Sequence, residues 1–122
     1  MNISEAESIV MQVLWQQGAP LSGDEIALAL AGQQDWQTAT VKTLLNRLLG
    51  KGAISAQKDG RRFLYSPILA REAWLSEQSM GLLDRLFGGS LTPLVAHFAS
   101  HRKLKAADLK ALKKLIDEQE RK

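Results

Sequence analysis

Trp36-Gln-Thr-Ala-Thr-Val-Lys-Thr-Leu-Leu-Asn-Arg-Leu-Leu-Gly-Lys-Gly-Ala-Ile-Ser-Ala-Gln-Lys-Asp-Gly-Arg-Arg-Phe-Leu-Tyr-Ser-Pro67 holds the change of period that decides the fold. From about Thr38 to Leu49 apolar residues recur at helical spacing. Val41, Leu44, Leu45 and Leu48 fall within an arc of about 100°, which predicts a buried helix face. Ala39, Thr43 and Asn46 fall opposite; Thr40 and Arg47 take one shoulder and Lys42 the other. Gly50 and Gly52 close the helix, with Lys51 near its negative end. The period then drops to two. Ile54, Ala56 and Lys58 alternate with Ser55 and Gln57, and Asp59-Gly60 supplies a two-residue hairpin turn. Pairing outward from that turn sets Lys58 opposite Arg61, Gln57 opposite Arg62, Ala56 opposite Phe63 and Ile54 opposite Tyr65. The two apolar pairs share one face, as a half-buried hairpin requires. Pro67 ends the second strand.

Upstream, Ser4-x-x-Glu7 and Ser22-x-x-Glu25 are capping-box patterns, each standing before an apolar periodic run. The first opens a helix with Ala6, Ile9, Val10, Val13 and Leu14 inward, ended by Gly18 and Pro20. The second opens a short helix with Ile26, Ala29 and Leu30 inward, stopped by Gly32. Downstream the chain is helical. Trp74, Leu75, Leu82, Leu83, Leu86 and Phe87 mark a helix from about Leu69, broken by Gly88-Gly89. Thr92-Pro93 restarts a short helix, Thr as cap and Pro in first position, with Leu94, Val95 and Phe98 inward. Leu104, Leu109, Leu112, Leu115 and Ile116 mark the last. These three helices are too apolar and too few to close a core alone, and packing against a second chain would bury their surface.

The predicted architecture is therefore mostly α with a small β-hairpin wing. Residues 1–68 form a winged helix-turn-helix DNA-binding domain and residues 69–122 a helical dimerisation domain. The dimer surface is assigned to Leu75, Leu82, Leu83, Leu86, Phe87, Leu94, Val95, Phe98, Leu109, Leu112 and Ile116.

Charge is segregated. Residues 1–36 carry five acids and no base, and residues 37–67 carry six bases and one acid, within a chain whose net charge is only +3. A basic segment on one helix and the adjacent hairpin suggests a surface that meets a polyanion. In a winged helix the second helix of the turn enters the major groove and the wing meets the backbone. Thr40 and Thr43 are short hydroxyls whose methyls suit thymine, and Arg47 can fork onto guanine or clamp a phosphate. Lys42, Lys51, Lys58, Arg61 and Arg62 are natural phosphate ligands. Trp36, Thr38, Ala39 and Asn46 complete the candidate DNA surface; Trp36 serves either as a core plug or as a phosphate donor through its indole nitrogen.

Several classes are excluded. The chain has no cysteine, which removes disulfides, thiolate metal sites and Cys nucleophiles. His97 and His101 stand four apart, but Ser100 and Asp108 are weak company, and metal sites need three or four ligands. No metal and no cofactor is expected. Neither histidine lies near a glycine-flanked serine elbow, and no glycine-rich phosphate loop occurs, so an enzyme is not expected. No secretory n-region and no long apolar run is present, which makes a cytoplasmic protein with no membrane contact the expectation. Trp15 reads as core, and Arg102-Lys103-Leu104-Lys105 as a solvated helix end. The competing reading is a winged-helix module that binds protein instead of DNA.

At these residues the chain resembles the penicillinase-repressor (BlaI/MecI/CopY) family. The matching text is Glu5-Ala-Glu-Ser-Ile-Val-Met-Gln-Val-Leu-Trp15, then Trp36 to Leu48, Lys51-Gly-Ala-Ile54 and Lys58 to Pro67. The likeness is close in the DNA-binding half and looser beyond it. It implies a transcriptional repressor, a homodimer on a palindromic double-stranded operator, acting on β-lactam resistance or a related stress response. It also implies that Thr40, Thr43 and Arg47 occupy recognition-helix contact positions; the penicillinase members carry Lys where this chain has Ala39. In β-lactam-responsive members an inducing protease cuts an Asn–Phe bond, and the corresponding bond here is His97–Phe98. The cysteine pairs of the copper-responsive members are absent.

Overall fold

The computed structural model describes residues 1–121. Six helices and three short strands follow one another as α1 (Glu5–Gln17), β1 (Leu21–Ser22), α2 (Gly23–Leu30), α3 (Thr38–Lys51), β2 (Ile54–Asp59), β3 (Arg62–Pro67), α4 (Arg71–Leu86), α5 (Leu91–Ser100) and α6 (Ala106–Glu120). Both capping boxes form. The Ser4 and Ser22 hydroxyls accept from the Glu7 and Glu25 amides, and each glutamate accepts in return from the capping residue's own amide. Gly18 ends α1 at φ +66, a left-handed conformation that glycine takes without a Cβ penalty.

The core lies between α1, α2 and α3. Val10, Met11, Leu14, Ile26, Val41, Leu45 and Leu48 are fully shielded from solvent. The buried face of α3 is Val41, Leu44, Leu45 and Leu48, as its helical period predicts. Truncating a fully buried leucine such as Leu48 to alanine costs about 2–5 kcal/mol at sites of this kind. On α2 the inward residues are Ile26, half-buried Ala27 and Leu30; Ala29 faces solvent. That helix stops at Leu30, before Gly32, while Gly50 lies inside α3 and Gly52 alone takes the left-handed cap.

The sheet is antiparallel in the order β1-β3-β2. Its first strand has two residues, too short for a sequence period, and it exists because the extended backbone of the α2 cap lies beside β3. The hairpin turn differs from the sequence expectation. Gly60-Arg61 forms the loop and Asp59 pairs with Arg62, so Ala56 faces Tyr65 and Lys58 faces Phe63. Gly60 has φ +65 and Arg61 is not left-handed, the pattern of a turn with glycine at its first central position. A slip of two preserves which residues share a face. The hairpin is also less buried than expected: Ile54 is buried and Tyr65 half-buried, but Ala56 is exposed and Phe63 is 50% exposed. The root of the hairpin packs on the core, while its outer half is mostly exposed and meets the body of the domain through β1 and the start of α2.

The chain divides into two units, Met1–Ser76 and the part from Glu77 onward, with the division inside α4. In the first unit the Trp15 indole N–H donates to the Leu69 carbonyl at 2.9 Å, and the Trp15 and Trp74 rings lie 5.4 Å apart. In the second, Gly88 and Gly89 are both left-handed and the Gly89 amide bonds the Leu83 carbonyl. Helix α5 begins at Leu91 behind Ser90, not at Pro93. Pro93 sits two residues further in, where its missing N–H is still one that no helix carbonyl could receive. Among the described residues, none in α4, α5 or α6 is buried.

Candidate nucleic-acid interface

With the apolar side of α3 turned inward, its other side is set by the same period. Thr38, Ala39, Thr40, Lys42, Thr43, Asn46 and Arg47 are all exposed. The Thr43 hydroxyl donates to the Ala39 carbonyl at 3.0 Å, which spends its proton and leaves lone pairs and a methyl facing out. Thr40, Lys42, Asn46 and Arg47 carry no side-chain hydrogen bond or ion pair among the described residues. Trp36 is half-buried and packs against the core cluster.

The wing supplies further cations beside α3. Arg61 occupies the loop and Lys58 the end of β2, both exposed and without an ion-pair partner among the described residues. Lys42, Arg61 and Arg62 line one side of a cleft of about 390 Å³, with Phe63 and Tyr65 of the wing. Its other side is the start of α2, Gly23 to Glu25. A Cβ built on Gly23 would rest 3.6 Å from Leu45 and 3.9 Å from Lys42, ordinary contacts that show how closely α2 lies on α3.

Two of the expected phosphate ligands are otherwise engaged. Lys51 turns inward, its ammonium 2.6 Å from the Glu7 carboxylate and bonded to the Asn2 carbonyl. The Glu7 side chain is 2% exposed. Burial pushes its pKa up, but bonds from Lys51 and from the Ser4 amide and hydroxyl, with the Lys51 charge, outweigh that and hold it below the ordinary value. Lys51 thus ties the end of α3 to the start of α1 instead of standing free for a phosphate. Arg62 lies 3.8 Å from Glu25 and 3.4 Å from Asp59. Glu25 also has a lowered pKa, first through the Ser22 amide and hydroxyl and then, against slight desolvation, through the Arg62 charge. The capping-box reading of Glu25 accounted for its backbone role and hid its place beside the wing.

A winged helix with an exposed polar and basic face on its third helix defines a nucleic-acid-reading regulator. The chain belongs to the penicillinase repressor family, whose profile matches residues 3–118, and it is a DNA-binding repressor, not an enzyme. It is 30% identical to the penicillinase repressor of Bacillus licheniformis over 116 residues, 95% of this chain and 90% of that one. It is similar to the solution structure of the DNA-binding domain of the repressor BlaI, with TM-score 0.53 and 36% identity over 57% of this chain and 84% of that one. A second solution structure, of the Bacillus licheniformis BlaI monomeric form in complex with the blaP half-operator, matches with TM-score 0.51 and 35% identity. It covers 59% of this chain and 87% of that one. No helix among the described residues is long and apolar enough to cross a membrane.

Proposed function

We propose that this chain is a homodimeric repressor of the cytoplasm that seats α3 in the major groove of a palindromic operator. The observation that carries the reading is the exposed set Thr40, Lys42, Asn46 and Arg47 on α3, unpaired among the described residues, next to Lys58 and Arg61 on the wing. Arg47 and Asn46 read base edges, Thr40 and Thr43 meet thymine methyls or phosphate, and Lys42, Lys58 and Arg61 hold the backbone. The half-operator complex of the related BlaI supports this use of the surface. The regulated genes are those of β-lactam resistance or a related stress response, a reading supported by the likeness to a penicillinase repressor.

The second copy docks on the second unit. Leu86, Leu91, Leu109, Leu115 and Ile116 are each more than half exposed there, and α5 and α6 enclose an apolar hollow of about 720 Å³. Leu91 and Leu115 join the residues that the helical periods assign to this surface. Release from DNA follows cutting by an inducing protease at His97–Phe98, within the ten-residue helix α5. Short helices open locally at small cost. Repressor recovered from induced cells should carry the mass of a fragment ending at His97; full-length protein would reject this route.

The test of the main reading is binding to duplex DNA across a salt series. A fall of log K with log salt whose slope corresponds to several phosphates is expected. A duplex selected from a random library should bind about 10³-fold or more tighter than unselected duplex. Salt-independent or absent binding would favour the protein-binding alternative.

A further inference from the structure

Among the described residues, the wing's Arg62 is the cation of the cleft that is shared between two carboxylates. Glu25 reaches it at 3.8 Å from the start of α2, and Asp59 at 3.4 Å from across the hairpin. All three side chains are about half exposed, so the guanidinium is free to change partners. Lys42 and Arg61 line the same cleft with no carboxylate bonded to them among the described residues. Resting on the DNA-binding reading above, we infer that Glu25 attenuates operator affinity. Its carboxylate competes with the DNA backbone for Arg62, so the phosphate contact of this arginine forms only by giving up an ion pair.

The thermodynamics follow from linkage. Whatever the pair contributes to the free protein is subtracted from binding when Arg62 moves to a phosphate. The freed carboxylate then stands close to the polyanion and repels it, which lowers the effective number of phosphates neutralised. A bidentate contact with phosphate still wins in the docked complex, because two short charge-assisted bonds replace a 3.8 Å contact to Glu25 and two weak bonds of 3.4 Å to Asp59. The contact is thus available but discounted, whereas Arg61 acts at full strength.

Glu25→Gln isolates the effect. The same Oε1 that faces Arg62 accepts from the Ser22 amide at 3.0 Å, and glutamine keeps that acceptor. An unchanged thermal midpoint verifies that the cap survives. Duplex affinity of wild type, Glu25→Gln, Arg62→Ala and the double variant is measured on one selected sequence across a salt series. Glu25→Gln should tighten binding by about two- to fivefold at low salt, the range of an exposed ion pair. It should also steepen the salt slope by up to about one. In the Arg62→Ala background most of that gain should vanish. Unchanged or weaker binding by Glu25→Gln overturns the inference, and so does a gain that persists in full without Arg62. Wild type without salt-dependent binding would instead remove the DNA reading itself, and this inference with it.

Discussion

At the scale of the residue, a charge counts by what already holds it. Six bases between residues 37 and 67 suggest one uniform polyanion surface, yet their side chains separate into three situations. Lys51 is bonded to a carboxylate that is 2% exposed, Arg62 is shared between exposed carboxylates, and Lys42, Arg47, Lys58 and Arg61 are unpaired among the described residues. Lys51→Ala should cost about 1–3 kcal/mol, because it strands a buried charge with only the Ser4 bonds left. The pH dependence has a definite sign. The folded Glu7 pKa lies below the ordinary value, so the unfolded chain takes up its proton first as pH falls. The stabilisation is full above the ordinary glutamate pKa and is lost as pH falls through the folded one. Urea unfolding across that window should show a shallower acid loss in Lys51→Ala than in wild type; identical slopes would contradict the role. The unpaired cations are tested by a contrast. Arg47→Ala should cost about 1–3 kcal/mol and relax base preference at one position per half-site. Arg61→Ala should weaken every duplex alike and lower the salt slope by about one. Equal specificity profiles for the two variants would refute the division between groove and backbone.

At the scale of the element, what was legible in the sequence depended on how many residues voted. Four leucine and valine positions define the inner face of α3, and two capping boxes place the starts of α1 and α2. The hairpin's existence and its faces were equally legible, because parity survives a slip of two. Its register was not: one glycine decides it, and Gly60 takes the left-handed position while leaving Asp59 in the strand. The two-residue β1 and the Glu25–Arg62 contact were illegible because both arise from tertiary neighbours, not local period. The link into α4 shows the same dependence. Trp15 and Trp74 share an aromatic contact, but the Trp15 indole is hydrogen-bonded while the buried Trp74 nitrogen has no partner among the described residues. Trp15→Phe strands the Leu69 carbonyl and should cost about 1–3 kcal/mol, whereas Trp74→Phe removes an unsatisfied donor together with ring area and should cost less. Urea midpoints at constant m decide it, and a larger loss for Trp74→Phe would reject the assignment.

At the scale of the whole molecule, the two units bury their apolar residues to different degrees. The first closes a core of thirteen buried hydrophobic residues, while the second, among its described residues, closes none. Leucines at 51–64% exposure over α4 to α6 are costly to leave in water, and a self-complementary two-fold contact removes that cost symmetrically. Leu115→Asp with Ile116→Asp is the decisive variant. Both side chains are 56% exposed, so their charges fall on the proposed dimer surface without entering the core of the first unit. Light scattering should give the mass of one chain, and the thermal signature of the first unit should persist. A monomer presents one recognition helix to one half-site and forfeits the intramolecular second binding event. Operator affinity should therefore fall by about 10²–10⁴-fold although no DNA-contacting residue has changed. Binding to a half-site duplex should be unaltered, since it never used the second helix. A dimer mass in this variant would displace the interface from α6. A monomer that held the full operator as tightly as wild type would show that bivalency contributes nothing to repression.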